Sequence, residues 1–129
     1  MNRLLKLTAL IEAATGLALM IVPSVVVRLL LGSELDTSAA VTLGRVAGVA
    51  LFALGVACWL ARDDTQSRAA RGLVAAMLLY NVATVAVLAF AGIGFGLHGV
   101  ALWPAVVLHA VMAVWCVACL RRSPQNVMD

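Results

Sequence analysis

Charge is what this chain has least of. Only 12% of its 129 residues are Asp, Glu, Lys or Arg, where a soluble domain carries about 25%. Hydrophobic residues make up 64% of the chain and its mean hydropathy is +1.08, values that point to lipid rather than water as the solvent. The formal net charge of +3 is no nucleic-acid signature, because the basic residues stand at the ends of apolar runs instead of forming a patch. Catalytic signatures are also missing. There is no H-E-x-x-H, no carboxylate pair and no Cys/His dyad, which weighs against an enzyme without deciding the matter. Gly92, Gly94 and Gly96 lack the strand–loop–helix setting and the lysine of a phosphate loop, so they read as a turn between helices. No repeat, linker or low-complexity tract divides the chain, and its length makes one domain.

Cysteine is sparse and late. Cys58, Cys116 and Cys119 all fall near the ends of runs placed on the cytoplasmic side, where disulfides are not expected. The Cys116-x-x-Cys119 spacing lacks the βαβ context of a redox motif. These residues read as small apolar packing groups, the alternative being a three-thiolate metal site with Cys58. His98 and His109 are about three turns apart and cannot clamp one haem iron from the same depth. No metal and no cofactor is expected.

What is present is a set of apolar runs long enough to cross a bilayer, about 20 residues each. The spans are read at residues 3–22, 39–60, 70–91 and 100–120. Arg3 and Lys6 before the first run resemble the start of a signal peptide, but Glu12 interrupts the run and no A-x-A-type site follows. That run is therefore read as a mature helix. Pro23 removes a backbone donor and should end or kink it. Ser24 to Leu31 then reads as a short interfacial segment with Arg28 snorkelling to the headgroups, closed by Gly32 as a C-cap. Residues 33–38 form a loop whose Ser, Thr and Asp can cap the next helix. Residues 92–99 form the last loop, and Trp103 and Pro104 sit in the first turn of the fourth span. The expected fold is all-α: a polytopic membrane protein, one domain, built as a four-transmembrane-helix bundle. Arg3, Lys6, Arg62, Arg68, Arg71, Arg121 and Arg122 share one side and Arg28 alone the other. By the positive-inside rule both termini are cytoplasmic.

The second span organises the rest. Gly44, Gly48 and Gly55 recur on one helical face, the pattern that lets another helix approach closely. Arg45 lies about 100° round from Gly44. A charge there is costly in lipid and should turn into the bundle. Each other span offers one polar candidate: Glu12, Asn81 and His109. Counted from the outer face, Glu12 and Asn81 lie ~15 Å deep, His109 ~14 Å and Arg45 ~9 Å. A Glu12–Arg45 pair is within arginine's reach. The expected site is therefore a polar cluster of Glu12, Arg45, Asn81 and His109, with Thr8, Thr15 and Gly16 on the face of Glu12. Tyr80 and Trp115 read as packing residues. The cluster is either a registry device or a ligand site.

Gly16…Pro23, Leu30-Leu31-Gly32, Arg45-x-x-Gly48 and Trp103-Pro104…His109 together resemble the small DoxX-like four-helix membrane proteins of bacteria. That resemblance implies a fold and little chemistry. Leu10-Ile11-Glu12-Ala13-Ala14-Thr15-Gly16 is also similar to the glutamate-bearing first span of the small multidrug resistance transporters. Arg45, Pro23 and the surface segment depart from that family.

The expectation is a protein of the bacterial inner membrane that holds a small lipophilic molecule, such as a quinone or lipid, in the polar cluster, or serves as an accessory subunit of a larger membrane complex. The alternatives are a proton-coupled transporter using Glu12 and a membrane enzyme acting on a lipophilic substrate. Partners expected are the lipid bilayer, that small molecule and a homo-oligomer or larger complex, with no nucleic acid.

Overall fold

A computed structural model describes residues 1–64 and 66–122. It contains α1 (Asn2–Ile21), α2 (Pro23–Leu31), α3 (Ser38–Leu60), α4 (Arg68–Gly94) and α5 (Leu102–Arg122). No strand occurs among the described residues. α1, α3, α4 and α5 are long and apolar enough to cross a membrane. α2 is not: its nine residues rise only about 14 Å.

The breaks between helices have local causes. At Val22 the backbone leaves helical geometry (φ −130°, ψ 57°), and Pro23 restarts the chain in the first turn of α2, where its missing N–H costs nothing. Gly32 ends α2 in the left-handed conformation (φ 68°), which glycine adopts without a Cβ penalty. The Thr37 side chain accepts a hydrogen bond from Ala40 N (3.1 Å) and caps α3. Ser67 does the same for Ala70 N (3.1 Å) at the head of α4. α4 runs three residues further than the sequence spacing predicts, so Gly92 and Gly94 are helical rather than part of the loop. Apolar Phe90 and Ile93 carry the helix on, and the turn falls at Gly96 (φ 67°).

The long helices form two pairs, α1 with α3 and α4 with α5. The first pair is close enough to exclude side chains. A Cβ on Gly48 would lie 2.7 Å from Gly16 O and 2.8 Å from Met20 N. One on Gly55 would lie 2.7 Å from Ala13 N, and one on Gly16 would strike the Phe52 backbone. Gly44, expected on the same seam, instead faces Pro23 and Leu35. Between the pairs the contact is made by side chains. Leu4, Leu5, Ala9 and Cys58 from the first pair meet Val74, Met77, Met112 and Cys116 from the second.

α2 ties the pairs together at one end of the bundle. Ala101 N donates to Leu29 O (2.9 Å), and Gly99 lies so close to the Leu29–Leu30 backbone that a Cβ would have no room. At the other end Asn2 Nδ2 donates to Asp63 Oδ1 (3.0 Å), which brings the start of α1 to the turn between α3 and α4. Arg3, Arg62, Arg68, Arg121 and Arg122 therefore share one end, and Arg28 stands at the opposite one.

The α1–α3 contact predicts a specific sensitivity. Gly48→Leu should destabilise the fold by about 1–3 kcal/mol or more through overpacking, read as a lower midpoint in detergent-titration unfolding. Gly72, with nothing within 4 Å of its Cβ position, should tolerate alanine and gain ~0.5–1 kcal/mol. An unchanged midpoint for Gly48→Leu would contradict the close approach.

Candidate functional site

Among the described residues three polar side chains are buried: Thr8, Glu12 and Asn81. Thr8 and Glu12 stand one turn apart on one face of α1. Asn81 comes from the middle of α4. The α1–α3 seam uses Ala9, Ala13 and Gly16 of α1, and that turns the Glu12 face toward the other pair.

There Glu12 meets a residue expected only to pack. Tyr80 donates its hydroxyl hydrogen to Glu12 Oε2 (3.3 Å). Thr84, one turn further along α4, approaches the same tyrosine hydroxyl. The edge of one ring meets the face of the other where Tyr80 adjoins His109 (centroids 5.6 Å apart, planes at 80°). His109 is bonded in turn to Asn81, with Nδ1 2.8 Å from Oδ1. Glu12, Tyr80, His109 and Asn81 thus form one continuous polar cluster across α1, α4 and α5.

Hydrogen-bond bookkeeping assigns the histidine tautomer. Asn81 Nδ2 donates to Met77 O (2.7 Å), and a carbonyl can only accept. The other amide atom facing His109 is therefore the oxygen, so His109 Nδ1 carries the hydrogen. In the neutral ring Nε2 is then the lone-pair nitrogen, available as an acceptor or base. Thr8 Oγ1 is the one buried side-chain polar atom, among the described residues, without a hydrogen-bond partner. A hydroxyl left in that state costs about 1–3 kcal/mol, a cost that an incoming polar group removes.

Of the four residues the sequence points to, three meet. Arg45 does not. It is exposed and forms no ion pair among the described residues, where the ion pairs are Arg28–Glu34 (3.9 Å) and Arg62–Asp63 (3.2 Å). The expected Glu12–Arg45 pair is replaced by Glu12–Tyr80. The reason is the width of the glycine seam. Helices in backbone contact cover only a narrow strip of each other, and on α3 that strip is marked by Gly48 and Gly55. Arg45 lies about 60° off Gly48 around the helix, enough to leave the strip. It is also about 10 Å from the first residue of α3, so its long side chain can reach the end of the bundle.

Tyr80 carried one signal. It is the chain's single tyrosine, placed mid-helix in an apolar run, and a buried phenol needs a hydrogen-bond partner. The cysteines are free. Cys58 and Cys116 are fully buried in the apolar core, and no group of three metal-ligating side chains occurs among the described residues.

Compared with protein families, characterised proteins and solved structures, the chain matches none. The site's reading therefore stands on its own geometry.

The tautomer is directly measurable. Nitrogen-15 spectra of histidine-labelled protein should show His109 as the Nδ1–H form, and Asn81→Leu should release that preference. An Nε2–H ring in the wild type would contradict the Asn81–His109 bond as assigned.

Proposed function

We propose that this is a multi-pass protein of the bacterial inner membrane that binds a small lipophilic molecule through a hydrogen-bonding head. The membrane reading rests on four spanning-length apolar helices and on an outer surface of exposed Leu, Val, Ile and Phe. A soluble monomer rarely exposes more than a few hundred Å² of continuous apolar surface. The end that gathers Arg3, Arg62, Arg68, Arg121 and Arg122 is the cytoplasmic one by the positive-inside rule, and α2 lies at the opposite interface.

One observation carries the binding reading. The polar cluster is divided between the two helix pairs, Glu12 on one and Tyr80, Asn81 and His109 on the other. A molecule entering the side-chain seam between the pairs would meet a carboxyl group, the His109 ring and an unpartnered threonine hydroxyl. That set recognises a head with hydrogen-bonding oxygens, the carbonyl acceptors of a quinone or the hydroxyls of a quinol or lipid. Intramembrane ionisable groups mark ligand or ion paths.

Arg45 favours a second reading, an accessory subunit. An arginine on the outer face of a spanning helix finds its counter-charge either at the headgroups or on another protein. The transporter alternative keeps Glu12 as proton carrier and predicts that Glu12→Gln abolishes transport.

Native mass spectrometry of protein released from its own membrane separates these. A small molecule should be retained by the wild type and by Arg45→Ala, and its occupancy should fall about tenfold, ~1.4 kcal/mol, in His109→Leu. Folded protein without any bound molecule in all three forms would overturn the binding reading. A partner subunit lost only in Arg45→Ala would move the weight to the accessory role.

A further inference from the structure

The polar cluster leaves one cavity unused. At the end of the bundle where α1 begins and α5 finishes, a recess of about 510 Å³ is lined by Asn2, Arg3, Gln66, Trp115 and Arg122, with Met1 and Cys119. The volume is that of a small-molecule site. Its floor is apolar: Met1, Trp115 and Cys119 pack directly on the hydrophobic core. Its polar lining consists of positively charged donors and neutral amides, and no carboxylate is among the described residues that line it. Neither Arg3 nor Arg122 forms an ion pair among the described residues.

The acid bonded to the recess residue Asn2 is already engaged. Asp63 accepts from Asn2 through Oδ1 at 3.0 Å and pairs with Arg62 through Oδ2 at 3.2 Å. Arg62 is itself held against Trp59, its guanidinium 4.3 Å from the ring centroid and its Nη1 donating to Trp59 O (2.6 Å). Asp63 is thereby committed to the Arg62 side, so among the described residues no acid pairs with either recess guanidinium. Two like charges around one hollow repel each other, and an anion between them relieves that repulsion. Guanidinium groups suit phosphate oxygens because their planar forks donate in pairs.

We propose that this recess binds a phosphate group, Arg3 and Arg122 holding its oxygens, Asn2 and Gln66 donating to its esterified side and Trp115 walling off the apolar floor. Resting on the membrane reading above, the phosphate is the diester of an anionic phospholipid. Basic pockets between spanning helices on the cytoplasmic side take such headgroups, and tryptophan at that level is an interface residue. A soluble phosphate compound would use the same groups.

The test uses the full chain in detergent and in nanodiscs. Native mass spectrometry should show phosphatidylglycerol retained in preference to phosphatidylcholine. Retention should drop roughly thirtyfold in Arg3→Gln/Arg122→Gln, as expected for two lost charges. Arg68→Gln/Arg121→Gln, with the same charge change at the same end but outside the recess, should keep it. In a Trp59→Phe/Trp103→Phe protein, Trp115 fluorescence is followed while inorganic phosphate is added in neutral detergent. A response lost in the Arg3/Arg122 double variant assigns the site to phosphate from solution; lipid retention without that response assigns it to the headgroup. Equal retention of both lipids with no phosphate response, or equal loss in the two double variants, overturns the proposal. Failure to enter nanodiscs would instead overturn the membrane reading, with the phosphate titration in detergent still deciding the recess.

Discussion

The backbone contact between α1 and α3 constrains everything else in the bundle. Gly16, Gly48 and Gly55 let the two helices meet with no side chain between them. In lipid, where apolar surface gains little from burial, such close packing supplies the attraction between helices. It also orients them. Once Ala9, Ala13 and Gly16 are committed to α3, Glu12, one residue before Ala13, has to turn toward α4 and α5. The seam's narrowness places Arg45 outside. One contact thus explains both which ionisable group is buried and which is not.

The buried group is then accommodated without a cation. Its hydrogen-bond partner is a phenol, backed by an imidazole locked to an asparagine that is itself locked to a backbone carbonyl. Each link restricts the next, so the cluster presents a defined pattern of donors and acceptors rather than a loose polar patch. Cross-helix hydrogen bonds of this kind contribute on average only about 0.6 kcal/mol each in a membrane. The main source of stability therefore lies in the α1–α3 contact and the Leu–Met–Cys core, which is consistent with the recognition role proposed for the cluster.

The long helices were readable from the sequence because their cause is local. Runs of apolar residues, a proline at position 23, a glycine at 32 and capping residues in the loop before α3 set the boundaries to within three residues at every end. Three of the four polar positions were also readable, since a polar residue in the middle of an apolar run has to face inward. Arg45 was not, because an arginine has two ways out of lipid: inward to a partner, or along its own length to the helix end. Helix periodicity alone does not choose between them; the width of the glycine seam does. Tyr80 was missed for the complementary reason. It is large and amphipathic, and only the position of α1 shows that its hydroxyl has a carboxylate to meet.

The most direct measurement is a pair of double-mutant cycles on unfolding free energy. One combines Glu12→Gln with Tyr80→Phe, the other Glu12→Gln with Arg45→Leu. The arrangement described predicts a coupling of about 0.5–1.5 kcal/mol for Glu12 with Tyr80 and less than ~0.3 kcal/mol for Glu12 with Arg45. A substantial coupling to Arg45, with none to Tyr80, would mean that the arginine turns into the bundle after all and that the cluster is organised around an ion pair.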